Sequence, residues 1–347
     1  IMNTANPLDT DNMRGLVWKL AIPSMLAQFV SVLYSIVDRM YIGNIPEIGE
    51  VALAGVGVCG PIVTLVSSAA FLVGIGGAPL VSIRMGQKNY RAAEAILANC
   101  FLMLTVIALG LTAFSLLIKN HLLMWFGASE TTFVYGNQYI TVYLMGTFFA
   151  LMSTGMNQFI ICQGFAKTGM ASVVLGAVCN IVLDPIFIFA LDMGVPGAAI
   201  ATVLSQMASC LFVLAFLFSR KPMIRITFGR YHWFIMKRVL TVGFTPFIIV
   251  AFDNILIISL KYGGAGQGDM LLTCATIVQS FMLIVTMPLS GITTGTQTIL
   301  GYNFGARRPD RILKAEKNIF LLCLVFTTVM FVIAHTIPEY FVRIFTR

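Results

Sequence analysis

Nine long apolar stretches alternate with short polar connections along the 347 residues, at 16–42, 51–83, 95–118, 133–163, 169–190, 196–219, 234–260, 270–302 and 318–336. Each is about as long as, or longer than, the roughly 20 residues that cross a hydrocarbon core. A backbone in hydrocarbon must satisfy its own amides, so stretches of this length are helices; a transmembrane barrel would show alternating segments of about ten residues instead. The pattern predicts an all-α polytopic membrane protein. Composition agrees, with 58% hydrophobic and 10% charged residues and a mean hydropathy of +0.91. The first stretch follows a short polar leader and carries Pro23, Gln28 and Asp38 with no small-residue cleavage pattern, so it reads as a retained span.

A formal net charge of +8 raises the question of a nucleic-acid partner. The distribution of the charge answers it. Arg14, Lys19, Arg84, Lys88, Arg91, Lys167, Arg220, Lys221, Arg225, Arg230, Lys237, Arg238, Arg307, Arg308, Arg311, Lys314 and Lys317 fall on one side of the predicted spans. Only Arg39, Lys119, Lys261, Arg343 and Arg347 fall on the other. Seventeen against five is a positive-inside bias that places the N-terminus in the cytoplasm and accounts for the basic chain without DNA or RNA.

The seven cysteines all lie in predicted spans without a C-x-x-C pair, and read as small packing residues rather than disulfides or metal ligands. Gly55, Gly57 and Gly60 spell G-x-G-x-x-G inside an apolar span with no preceding strand, which favours close helix packing over a nucleotide loop. No enzyme motif stands out, and the chain is read as a non-enzyme without a cofactor.

An internal repeat organises the chain. Gly76, Gly86 and Asn99 recur as Gly295, Gly305 and Asn318, each at an offset of 219, as from 86 to 305. The surrounding strings, MGQKNYRAAEAILAN and FGARRPDRILKAEKN, share a glycine, a basic loop and an amphipathic lead into the next span. Matching Pro23 to Pro246 needs an offset of 223, reconciled by a four-residue gap. Six spans separate the copies, so both have the same membrane orientation, the arrangement of parallel repeats around a central cavity. The expectation is a two-lobed repeat of six-helix bundles: residues 1–222 as the N-terminal six-helix lobe, and 223–347 as a partial C-terminal lobe of three helices. The second lobe is then incomplete, and the chain reads as C-terminally truncated.

Intramembrane carboxylates cost about 2.5–3.5 kcal/mol to insert and are functional candidates by default. Asp38, Asp184 and Asp253 qualify. Asp38 ends a stripe of Ser24, Gln28, Ser31 and Ser35 at alternating steps of four and three, one helix face that lines either a cavity or an interhelical hydrogen-bond seam. Asn180 and Asp184 share a face four residues apart, and Pro185 frees a backbone carbonyl near Ile181; Thr202 is placed to add a hydroxyl. This oxygen set suits a hard cation or proton, or else pins a kinked helix. Asp253 lies in the repeat counterpart of the first span, and Gln279 lies on a polar face of the eighth; Tyr139 and Asn157 mark a face of the fourth. The 19 methionines and 27 phenylalanines suit amphipathic ligands of many shapes, though lipid contact and packing explain most of them.

The strings PSMLAQFVSVLYSIVDRMYIG (23–43), MGQKNY (85–90), NIVLDPIFIF (180–189) and GVPGAAIAT (194–202) resemble the multidrug and toxic compound extrusion (MATE) family, most closely its bacterial polyspecific exporters. The resemblance implies twelve helices in two six-helix lobes facing a central cleft, and antiport of drugs against protons or sodium. It implies a cation site at Asp38, Asn180, Asp184 and Thr202, which would also be the metal ligands if the ion is sodium, and a conformational hinge near Pro23; Pro185, which interrupts the fifth span, is read as a second hinge. Gln28, Ser31, Ser35, Tyr139, Asn157, Asp253 and Gln279 are the expected substrate-cavity residues. The reading is a monomeric, multi-pass cation-coupled antiporter of the bacterial inner membrane, with the lipid bilayer and small amphipathic or cationic molecules as its partners. The alternatives are a lipid-linked oligosaccharide flippase of related architecture, against which the intramembrane acids argue, and more remotely a membrane enzyme or sensor.

Overall fold

In the computed structural model the backbone is described for residues 8–10, 12–263 and 268–336, and the side chains for the same residues except 256–281 and 284. Ten α-helices follow one another among the described residues: α1 (Met13–Gly43), α2 (Gly49–Gly86), α3 (Tyr90–Trp125), α4 (Glu130–Met145), α5 (Thr147–Ile161), α6 (Ala166–Pro185), α7 (Gly194–Phe218), α8 (Trp233–Gly263), α9 (Gly268–Gly305) and α10 (Pro309–Thr336). The helices start where polar side chains cap free amides: Asn12 Oδ1 accepts from Gly15 N (2.9 Å) and Asn89 Oδ1 from Ala92 N (3.1 Å). Among the described residues seven helices are long and apolar enough to cross a membrane, or eight if α4 and α5 form one bent span. Helix α9, whose N-terminal side chains lie outside the described residues, supplies a further helix of 38 residues.

The fourth apolar stretch departs from the single span expected. It divides into α4 and α5, bent by 57°, at Gly146, where a Cβ would overlap the Val203 side chain of α7. No proline is involved; the close approach of α7 makes the elbow. At the end of α6, Pro185 has no N–H to continue the α ladder, and Ile186–Ala190 relax into a π-helical turn closed by Leu191 N to Ile186 O (2.9 Å). Pro23 causes no such break: it is buried within a continuous α1.

The internal repeat is visible in single hydrogen bonds. After α2, the amides of Gln87, Lys88 and Asn89 reach the carbonyls of Ile83, Met85 and Arg84; after α9, those of Ala306, Arg307 and Arg308 reach Tyr302, Phe304 and Asn303. Every pair is offset by 219. Lys88 and Arg307 adopt the same left-handed backbone, at φ 58° and 57°, a conformation that costs a non-glycine residue about 1–2 kcal/mol. The two helix sets also meet reciprocally. A Cβ at Gly86 would strike the Tyr302 carbonyl oxygen, and one at Gly305 the Ile83 carbonyl oxygen; likewise Gly76 abuts Val239 and Gly243, while Gly295 abuts Leu20 and Ser24. Glycine is required here because backbones touch.

These contacts correct the register expected for the first helices. One offset of 219 relates α1 to α8 as well, so Pro246 stands opposite Ala27, one turn past the position of Pro23, and no four-residue gap is needed. By the same offset Tyr34 corresponds to Asp253, and Asp38 to Ile257.

Candidate functional site

Asp38 on α1, Tyr139 and Tyr143 on α4, Asn180 and Asp184 on α6, and Thr202 and Gln206 on α7 converge in the bundle of the first seven helices. Helix α1 packs along α6, and α6 along α7, which carries the polar faces of three helices to one place. Asp184 and Asn180 are almost fully buried, at 0% and 2% exposure. The Asn180 amide donates to Asp184 Oδ1 (3.1 Å) and to Thr202 Oγ1 (3.4 Å), and the Thr202 hydroxyl donates to Ala198 O (3.0 Å). The carboxyl groups of Asp38 and Asp184 lie within hydrogen-bond reach of each other. Tyr139 is within reach of Thr202, and Gln206 Nε2 lies 3.5 Å from Tyr143 Oη.

The oxygens left over define what this site lacks. Asp38 Oδ1, Asp184 Oδ2 and Asn180 Oδ1 are all buried, and no donor among the described residues reaches them. A carboxylate and an amide carbonyl only accept hydrogen bonds, and leaving such groups buried without a partner costs about 1–3 kcal/mol each, more when charged. Two adjacent carboxylates also repel. A proton shared between the two carboxyl groups relieves their repulsion, and a small hard cation suits carboxylate and amide oxygens alike. Two carboxylates, an amide oxygen and a hydroxyl form a donor set fit for sodium rather than for a soft transition metal.

Not every expected residue joins this group. Gln28, Ser31 and Ser35 are half-buried on α1, and the Ser35 hydroxyl turns back to Ser31 O (2.9 Å). Asn157 is buried on α5, with its amide on Gly169 O (3.3 Å); Gly169 stands three turns before Asn180 on α6, roughly 16 Å away at 1.5 Å per residue. The bend at Gly146 separates Asn157 from Tyr139. Asp253 is exposed on α8, and the Gln279 side chain lies outside the described residues. Arg39, beside Asp38, is exposed. Sequence reading passed over Tyr34 and Gln206, although the spacing was available. Tyr34 lies three residues after Ser31 and four before Asp38, and within reach of both Ser31 and Ser35; Gln206 lies four after Thr202.

The helix sets close on one another at the end bearing the basic loops. Ser82 and Gln158 face Thr294, Gln297 and Thr298 across a cavity of ≈ 10 Å³, and Thr298 Oγ1 lies 3.5 Å from Ile161 O. Beyond it, Arg308 pairs with Asp9 at 2.5 Å and Arg311 bonds to the Thr10 carbonyl. The volume is about that of one water-sized probe, so the two helix sets are closely packed at this point.

Fold and site together define a multi-pass α-helical membrane protein with an internal parallel repeat and an acidic, oxygen-rich cluster inside one bundle. The MatE family profile matches residues 23–186 and 244–347, most of the chain, and the protein belongs to that family. It is 24% identical over 332 residues to the multidrug export protein MepA of Staphylococcus saprophyticus, covering 94% of this chain and 72% of the relative. Among solved structures it resembles a MOP superfamily transporter from Pyrococcus furiosus, whose description reports a reversed polarity of the binding pocket (TM-score 0.90, 24% identity, 98% of this chain and 75% of that one). It also resembles a multidrug resistance MATE transporter in an outward-facing conformation (TM-score 0.88, 23% identity, 98% and 76%).

Proposed function

We propose that the protein exports amphipathic, often cationic, small molecules in exchange for protons or sodium by alternating access. The observation that carries this reading is the trio of buried acceptor oxygens on Asp38, Asn180 and Asp184, beside the hydroxyl of Thr202. The acids bind either the coupling ion or, through the field of the open cleft, the positive charge of a drug. Occupation by one disfavours the other, and that competition is the exchange. The multidrug export names of the curated relatives support the substrate class.

Residues 1–222 then form the first lobe and 223–347 part of the second, and the protein works as a monomer in the bacterial inner membrane with its N-terminus in the cytoplasm. The seventeen basic residues predicted on the side where α2 and α9 end support a cytoplasmic placement of that side. Gln28, Ser31, Ser35, Tyr139 and Asp253 line the route of the substrate, and Pro23 and Pro185 are the points at which α1 and α6 flex. Ethidium accumulation in cells expressing the protein tests the reading: the wild type lowers accumulation, and Asp184→Asn returns it to the level of cells without the protein. Wild-type efflux by the Asp184→Asn variant would sink the assignment.

A further inference from the structure

The segment between α7 and α8, residues 219–232, is not a slack tether. Pro222, Ile224 and Ile226 are buried, while Lys221, Arg225 and Thr227 are exposed and Met223 is half-buried, an in-and-out alternation along the strap. Two side chains with no exposure of their own hold its backbone. Gln163 Oε1 accepts from Ile224 N (2.9 Å). Asn99 uses both ends of its amide, accepting from His232 N (2.9 Å) and donating to Arg230 O (3.1 Å). Gly229 and Arg230, at φ 94° and 58°, then turn the chain outward into α8.

What the strap displays is basic and aromatic. Arg220, Lys221, Arg225, Arg230, Lys237 and Arg238 are all exposed, and among the described residues none has an ion-pair partner. No aspartate or glutamate occurs from residue 193 to 252. Phe228, Trp233 and Phe234 are exposed by 73%, 73% and 75%. Phe228 rests on the ring of Phe218 (centroids 6.1 Å) and against Phe101 (6.3 Å), so its footing continues the apolar face of the spans. Aromatic rings at the end of an apolar face, followed at once by cations, belong at the boundary between hydrocarbon and headgroups.

We propose that the strap and the first turns of α8 bind anionic phospholipid headgroups, with Arg225, Arg230, Lys237 and Arg238 on the phosphates and Phe228 and Trp233 in the interface. Each basic side chain near an anionic surface adds about fivefold in local affinity. Because the strap joins the two helix sets, the bound lipid fixes the height at which α8 enters the membrane. Which leaflet it occupies follows the orientation proposed above; headgroup contact is read the same in either orientation, so each claim can fail without the other.

The test uses the full chain with Trp18→Phe and Trp125→Phe, which leaves Trp233 as the only tryptophan, in phosphatidylcholine nanodiscs. These carry a minor fraction of either phosphatidylglycerol or phosphatidylcholine brominated near the top of the acyl chains. Trp233 fluorescence is quenched at least about twofold more by the brominated phosphatidylglycerol, and the preference disappears when Arg225, Arg230, Lys237 and Arg238 are replaced by Gln. High salt, which shortens the screening length to about 3 Å at 1 M, lowers the preference in the parent chain, so a variant that fails to fold leaves the question decidable. Equal quenching by the two lipids in the parent, a preference that survives the four replacements, or one indifferent to salt would each overturn the proposal.

Discussion

Helices α1 to α3 and α8 to α10 share a backbone and differ in chemistry. The loops after α2 and α9 repeat each other bond for bond, down to the left-handed Lys88 and Arg307, and the glycines that let the two sets touch are reciprocal. The residue types at equivalent positions are not. Where α1 has Tyr34 and Asp38, α8 has Asp253 and Ile257. Where α3 uses Asn99 to hold the strap, its equivalent Asn318 on α10 is half-buried and, among the described residues, bonds only within its own helix, to Lys314 O (2.7 Å). Closing one end of a two-lobed molecule requires that both halves have the same shape, because each supplies the surface the other packs on. Binding an ion requires convergent oxygens at one place, and the duplicate is free to change.

The comparison is most sharply broken at the pair of acids. Asp38→Asn or Asp184→Asn removes one of the two carboxylates proposed to hold a common ion and is expected to lower ethidium efflux by at least tenfold, the order expected when a charge-charge contact of about 1.4 kcal/mol or more is lost. Asp253→Asn, on the repeat counterpart of α1 but opposite Tyr34 rather than Asp38, changes the rank order of substrates and leaves the dependence on the ion gradient intact. Next in size is the shared seam. Gly86→Ala or Gly305→Ala places a methyl group on a facing carbonyl, and overpacking of this kind costs about 1–3 kcal/mol; spin labels on the two basic loops report a wider separation in both variants, to a similar degree because the contacts are reciprocal. Asn99→Ala strips two hydrogen bonds from the partly buried backbone of Arg230 and His232 and lowers stability by about 1–3 kcal/mol in thermal unfolding in detergent, whereas Asn318→Ala stays within about 0.5 kcal/mol. Smallest is Asp9→Asn: the ion pair to Arg308 is 38–44% exposed, and its loss costs under about 1 kcal/mol.

Much of this architecture could be read from the chain. Uninterrupted apolar length located the spans, and the four-residue spacing of Asn180 and Asp184 placed them on one face, where they are found. What escaped depended on a partner helix. The bend at Gly146 arises because Val203 of α7 fills the elbow, and nothing within the 133–163 stretch marks that neighbour; the same bend carries Asn157 away from Tyr139. Pairing Pro23 with Pro246 misled because a proline is tolerated at neighbouring turns of a membrane helix, whereas the glycines at helix contacts keep the register. Tyr34 and Gln206 lay at legible spacings beside Asp38 and Thr202, but a polar stripe traced through serines and acids steps over a large amphipathic ring and an amide.

The central claim is that the buried oxygens of Asp38, Asn180 and Asp184 hold the ion that a drug displaces. Its most direct test is ion release from purified protein when a cationic dye is added, followed with a pH indicator in weakly buffered solution for protons and with radioactive sodium for Na⁺. The account predicts that dye binding releases one of these ions from the wild type, and that Asp38→Asn and Asp184→Asn release none. Tight dye binding by the wild type with no release of either ion, or release undiminished in both variants, would contradict it.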